Sequence, residues 1–394
     1  MRLPALAAGA IRTASSAPSR KRFDTLRAVI PGSATREGTG RFAERAKAAP
    51  GHFREAAGLL LSSIGLGTYL GAEDAATDTG YEASVLEGLR AGINVFDSAI
   101  NYRGQKSERA IGRALTEAIS GGTASRDEVF VSTKGGYLPH DADDPRPAKQ
   151  YILETFVESG LAPKSEIAQG GHCMAPTYLK DQIERSRVNL GLATIDLYYL
   201  HNIEAQRASL DRATFRQRLT RAIETLEEAV ASEKIASWGL ATWDGLRAPP
   251  EHPEHLSLTH VRQIAEEVAG PGHHFAAVQL PVNLAMAEAI AYPSQETASG
   301  RLSALAAARS FGLAAFGSAS LLQGRLAADL PEEVVEAFPE ARTGAQQALQ
   351  FSRSAPGMTA SLVGACHPEH AREDFSLARV APAEPSRVLS LFKS

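Results

Sequence analysis

From Ser63 onward, short apolar runs alternate with longer stretches in which apolar residues recur every three or four positions, a pattern that predicts repeated βα units around a parallel sheet. The runs are Ile64 to Tyr69, Ile93 to Ser98, Val129 to Lys134, Ile195 to His201, Ile235 to Thr242, Phe275 to Leu280, Leu313 to Ser318 and Ala360 to Gly364. Eight is the number that closes a barrel. Between the runs, Phe215, Leu219, Ile223, Leu226 and Val230 line one face of a helix, as do Ile111, Leu115 and Ile119. A further helix is expected to take Thr177 as its N-cap and to turn Leu179, Ile183 and Leu190 inward. The fold class expected is α/β, a (β/α)8 TIM barrel.

Two segments exceed a minimal barrel. Residues 135 to about 176 open with Gly135 and Gly136, are rich in Asp and Pro from His140 to Pro147, and hold one short helix at Gln150 to Ser159. Following the third strand, this long insertion should emerge at the C-terminal rim, where barrels build their sites. The segment before Ser63 is expected to add a plug or hairpin at the barrel base. Residues 1–50 are read as an N-terminal extension, partly disordered, and residues 51–394 as the barrel domain.

Composition narrows the partners. Of 394 residues 44% are hydrophobic and 22% charged, which excludes disorder as the whole answer. A net charge of −4 gives no basic field for nucleic acid or an anionic membrane, so an anionic ligand needs a local site. Cys173 and Cys366 are the only cysteines, too few for a disulfide framework or a structural zinc site. No apolar run approaches the ~18 residues of a membrane span. A soluble, cytoplasmic protein is expected, a monomer or small homo-oligomer. The alternative is mitochondrial, because Arg2, Arg12, Arg20, Lys21 and Arg22 precede the first acidic residue, Asp24.

The strand ends carry the chemistry. The second, third and fourth runs close on Asp97, Lys134 and His201, which brings three ionisable groups to one rim, and Tyr102 follows Asp97 closely enough to fold over it. A phenol with a pKa near 10 is a poor acid at neutral pH unless an adjacent ammonium lowers it. Lys134 can supply that ammonium, Asp97 can hold Lys134, and a neutral His201 can donate to a carbonyl oxygen. Such a set suits proton donation to a developing alkoxide and lacks only a hydride source.

The segments GLGTYLG (65–71), NVFDSAINYRGQKSERAIGRAL (94–115), VFVSTKGG (129–136), IDLYYLHN (195–202), WGLATW (238–243) and SLVGACHPEH (361–370) resemble the aldo/keto reductase superfamily. The resemblance implies a nicotinamide dinucleotide bound without a Rossmann domain, NADPH first and NADH as the alternative. It makes Tyr102 the proton donor, tuned by Lys134 and Asp97, with His201 orienting a small-molecule carbonyl or alcohol substrate. For the cofactor it implicates Gly67, Thr68, Tyr69 and Asp97 near the nicotinamide, Gln279 on the carboxamide and Thr242 at a position where the family often has Ser-Asn. Either Phe316 or Ser318 takes the stacking position, depending on register. Gln323, Gly324 and Arg325 resemble a loop near the pyrophosphate. Gly364, His370, Glu373 and Asp374 match the adenosine grip, with Arg372 or His370 standing in for the Arg or Lys that many relatives place on the 2′-phosphate.

The stretch His172, Cys173 and Met174 offers too few ligands for a metal site and is read as part of the substrate-side wall. Trp238 and Trp243 are read as packing residues, with Trp243 available to line the pocket. The leading function is thus NAD(P)H-dependent reduction of an aldehyde or ketone, or the reverse. The competing reading is a nicotinamide-binding regulatory or scaffold subunit with little turnover; a metal-dependent hydrolase is disfavoured because the strand ends lack a His and carboxylate cluster.

Overall fold

The computed structural model describes residues 29–392. Eight parallel strands close into a barrel: β1 (Ile64–Gly67), β2 (Val95–Asp97), β3 (Phe130–Gly135), β4 (Leu197–His201), β5 (Trp238–Ala241), β6 (Phe275–Pro281), β7 (Ala314–Ser318) and β8 (Ala360–Gly364), with β8 returning to pair with β1. A helix follows each strand on the outside, from Ala75–Ala91 after β1 to Pro368–Phe375 after β8. Several strands begin later than their apolar runs. Ile195 and Ile235 pair with each other as an isolated bridge before β4 and β5, because both are buried between sheet and helices without joining the ladder.

The strand period of two sorts inward side chains into layers. Val95, Phe130, Leu197, Tyr199, Ala277, Phe316 and Leu362 fill the lower interior as one apolar cluster. Gly239 leaves room for it, since a Cβ there would stand 2.9 Å from the Tyr199 ring and 2.4 Å from the Ala277 carbonyl oxygen. Above this floor Asp97, Lys134, His201 and Gln279 reach the C-terminal rim from β2, β3, β4 and β6. The larger core lies between sheet and helices and includes Ile111, Leu115, Leu179, Ile183, Leu190, Phe215, Leu219, Ile223 and Leu226, the residues singled out by helical period.

The helix expected to be capped by Thr177 runs from Pro176 to Leu190 with Ala175 as its N-cap. Proline at the first position has no N–H to leave unsatisfied, so no side-chain cap is required there. In the insertion after β3, a helix begins at Ala148 and passes into a π-helical turn, Leu153–Glu158. Tyr151, Phe156, Ala162, Cys173, Ala175 and Tyr178 give this insertion a small core of its own.

The base is closed by the chain before Ser63. Strands Phe53–Ala56 and Leu59–Ser62 form an antiparallel hairpin, and Leu61 enters the barrel's interior cluster from below. Helix Arg36–Ala46, capped by the Thr35 hydroxyl, packs against the turn Arg126–Glu128 through the Arg45–Glu128 ion pair and the close approach of Gly38 to Asp127. Residues 1–28, where the basic stretch read as a targeting segment falls, lie outside the described residues. Among the described residues no helix is long and apolar enough to cross a membrane.

Candidate active site

Lys134 Nζ, fully buried, donates to Asp97 Oδ2 at 2.5 Å and to the Ser98 carbonyl at 2.7 Å. The other carboxylate oxygen of Asp97 accepts from Ser132 Oγ at 2.7 Å and Gln279 Nε2 at 2.9 Å. Three barrel strands, β2, β3 and β6, thus meet on a single carboxylate. Burial opposes the Lys134 charge, but Asp97 and Tyr102 outweigh it and raise its pKa above the ordinary value.

Tyr102 begins the turn Tyr102–Gln105, in which Arg103 and Gly104 adopt left-handed backbone with φ of 49° and 55°. Arg103 stabilises this conformation: its Nε donates to the Ala72 carbonyl at 2.7 Å and its guanidinium pairs with Asp78 at 2.5 Å. The phenol ring is thereby held with Lys134 Nζ 4.8 Å from its centroid and the His201 ring at 5.9 Å. From the sequence alone, Lys134 is expected to lower the phenol's pKa. Lys134 does pull it down, but burial raises it further and Asp97 adds to the rise, so the net shift is upward and the phenol is protonated at neutral pH.

His201 is driven well below its ordinary pKa by burial, with the charge of Lys134 and the neighbouring His172 acting in the same direction. It is neutral, and its Nδ1 has no hydrogen-bond partner among the described residues. The ring stands 5.3 Å from Tyr137, at an 84° angle.

These groups lie on the wall of a cavity of about 890 Å³, a size suited to a small-molecule or cofactor site. Gly67, Thr68, Tyr69, Asp97, Tyr102, His201, Thr242, Gln279, Ser318, Gln323, Gly324, Gly364, His370, Glu373 and Asp374 line it, all positions singled out in the sequence. Lys134 sits behind Tyr102 and acts through it and Asp97. At the far end, burial with Glu373 alongside pushes Asp374 up to about 7.

Four expectations are corrected. Phe316 does not reach the cavity: two residues below Ser318 on the same face of β7, it stacks on Phe130 at 5.6 Å in the interior layer, leaving Ser318 at the rim. Arg325 turns away and lines a separate groove with Glu333, Glu336 and Phe392. Arg372 pairs with Glu87 at 3.1 Å, no Lys or Arg among the described residues lines the cavity, and two imidazoles, His367 and His370, stand at that end. The stretch His172 to Met174 is buried behind the wall, where His172 Nε2 hydrogen-bonds the His201 carbonyl at 2.7 Å; Tyr137 is the insertion residue that faces the cavity.

Asn101, Tyr137, Asn202, Ser320 and His367 also line the cavity and were assigned no role from sequence. Asn202 adopts φ 48° directly after His201, and its amide nitrogen lies 3.3 Å from the Tyr137 hydroxyl. Its place next to the strand-ending histidine was the available signal. Trp238 is fully buried and stacked on Phe275, whereas Trp243 is 42% exposed and lines the cavity.

The aldo/keto reductase family model matches residues 63–249, which hold the Asp97, Tyr102, Lys134 and His201 cluster. A D-threo-aldose 1-dehydrogenase from Pseudomonas is 31% identical over 190 residues, 48% of this chain and 52% of that protein; the chain thus spans about half the length of this curated relative. Among solved structures, a Klebsiella pneumoniae aldo/keto reductase in complex with NADP and acetate superposes with a TM-score of 0.58 at 20% identity, covering 87% of this chain and 96% of that one. A glycerol dehydrogenase from Gluconobacter oxydans gives 0.60 at 17% identity over 88% and 95%. At such identities these two bear on the fold, which is the same closed barrel. The match to the aldo/keto reductase family model thus lies across the strands that assemble the cluster.

Proposed function

We propose that this protein is an NAD(P)H-dependent oxidoreductase that reduces an aldehyde or ketone to an alcohol, or runs in reverse. The observation that carries the reading is a protonated phenol beside a neutral imidazole at the wall of one large cavity, with a buried Lys–Asp pair behind the phenol. A bound nicotinamide dinucleotide supplies the hydride. Tyr102 then delivers its proton to the developing alkoxide oxygen, and the Lys134 ammonium stabilises the phenolate left behind. His201, neutral, donates a hydrogen bond to the carbonyl oxygen and orients it. Asp97 keeps Lys134 charged and fixed.

The residues proposed to hold the dinucleotide are Gly67, Thr68, Tyr69, Thr242, Gln279 and Ser318 at the nicotinamide end, Gln323 and Gly324 along the phosphates, and Gly364, His370, Glu373 and Asp374 at the adenosine. Gln279 suits this position because its amide is already oriented by Asp97. NADPH is the donor expected first, since a second Klebsiella neighbour, with a TM-score of 0.56 at 20% identity, is likewise described in complex with it. NADH competes because, among the described residues, no Lys or Arg lines the cavity. The regulatory-subunit reading is not favoured by any feature of the site. Titration of the purified protein with NADPH and NADH, followed by turnover of an aldehyde and ketone panel, tests the proposal; binding without turnover on any carbonyl would overturn it.

A further inference from the structure

Glu204 opens the short helix Glu204–Ser209, three residues beyond His201, and is 4% exposed. No cation pairs with it among the described residues. One of its oxygens, Oε1, accepts from the Trp243 backbone N–H at 2.6 Å and from that of Asp244 at 3.3 Å, and the Gly245 amide also bonds to the carboxylate. The other oxygen, Oε2, has no partner among the described residues. Gly245 allows this close approach, since a Cβ there would stand 2.7 Å from Leu256 and 3.3 Å from Glu204. An oxygen left without a partner on a side chain this deeply buried is costly, so the bonds made by the other oxygen must hold something in place.

What the carboxylate holds is the loop that begins at the end of β5, beside β4 and its His201. Trp243 is the residue this loop presents to the cavity, and its indole remains 42% exposed although the chain's other tryptophan is fully buried. Arg247 reinforces the loop by donating from Nε to the Trp243 carbonyl at 2.9 Å and pairing with Asp244. The same short stretch of chain therefore carries His201, which faces the reacting oxygen, and Glu204, which sets the position of the indole.

We propose that Glu204 is a positioning residue for substrate: through the amides of Trp243, Asp244 and Gly245 it fixes the Trp243 indole as the wall on which the carbon skeleton of the carbonyl substrate packs. The inference rests on the proposed reading that the Tyr102 and His201 face of the cavity is where the carbonyl is reduced.

The experiment compares wild type, Glu204→Ala, Glu204→Gln, Trp243→Phe and the Glu204→Ala/Trp243→Phe double variant, at saturating nicotinamide cofactor, with the best aldehyde of a panel. Glu204→Ala should raise KM about tenfold with kcat within about threefold, and leave cofactor Kd unchanged. Glu204→Gln, which keeps an amide acceptor, should restore KM toward wild type. The double variant should be no worse than Trp243→Phe alone, because both changes remove one wall. The Trp243 part of the intrinsic fluorescence, isolated by subtracting the Trp243→Phe signal, should become more quenchable by acrylamide in Glu204→Ala without any substrate present. Should Glu204→Ala fail to fold, Glu204→Asp, which withdraws the carboxylate by one methylene, should show the same KM rise and quenching in smaller measure. Equal losses in kcat and cofactor affinity, additive effects in the double variant, or unchanged quenching would overturn the proposal. Absence of turnover in wild type would instead count against the reductase reading, and the fluorescence result would still decide the role of Glu204.

Discussion

Lys134 Nζ lies 2.5 Å from Asp97 Oδ2 in a part of the barrel where the side chains are 1% and 4% exposed. Two charges taken this far out of water are tolerated only because each is also hydrogen-bonded elsewhere, Lys134 to Ser98 and Asp97 to Ser132 and Gln279. Lys134→Met would leave the carboxylate without its cation. Unfolding free energy from urea denaturation should fall by about 3–5 kcal/mol, with turnover lost as well; a variant of unchanged stability would show that the pair is not what holds the rim.

The shifts at Tyr102 and His201 set the pH profile. Tyr102 is raised, so the phenol keeps its proton through neutral pH, and His201 is lowered well below 6.5, so the imidazole stays neutral as the solution becomes mildly acidic. The kcat for carbonyl reduction should therefore be level from about pH 8 to about pH 6. A limb falling toward acid with a midpoint near the ordinary histidine value would mean that His201 protonates in the working enzyme.

Stability should respond to acid differently. Burial lowers both His52 and His172 to about 4, from 6.5. Between those values the unfolded chain takes up protons that the folded chain refuses, so stability is lost as pH falls from about 6.5 to about 4, by up to about 3 kcal/mol per histidine. Asp374 and Glu204, both pushed up to about 7 by burial, act in the opposite sense over this range, so the check is a difference: the urea midpoint of His172→Gln relative to wild type should rise as pH falls from about 6.5 to about 4. A difference independent of pH would show that the His172 imidazole is not buried as described.

Arg325 lines a groove apart from the main cavity. Arg325→Ala should leave NADPH and NADH affinities within about twofold of wild type, measured by fluorescence titration. A tenfold loss would return this guanidinium to the pyrophosphate.

The barrel was legible because each strand and helix obeys its own hydrophobic period, and the residues that close β2, β3 and β4 could be read directly as a converging set. What local pattern does not encode is depth and direction. Phe316 and Ser318 share one face of β7, yet only the barrel's closure decides that Phe316 belongs to the interior layer with Phe130. Arg325 and Arg372 were read from loop and helix positions, and their orientation depends on partners distant in sequence, such as Glu87 for Arg372. Tyr137 and Asn202 were overlooked for the same reason: the insertion's own core around Phe156 and Tyr178 brings Tyr137 over His201, and no periodicity announces it. Residue preference alone points to Thr177 as a cap, but Pro176 makes a side-chain cap unnecessary.

The central claim is that Tyr102 gives the proton that completes carbonyl reduction. The measurement that tests it most directly is single-turnover oxidation of bound NADPH by an aldehyde, followed at the nicotinamide absorbance, in wild type and Tyr102→Phe. The account predicts that Tyr102→Phe binds NADPH as wild type does and transfers hydride about 10³-fold more slowly. Transfer at the wild-type rate would contradict it, because another group would then be supplying the proton.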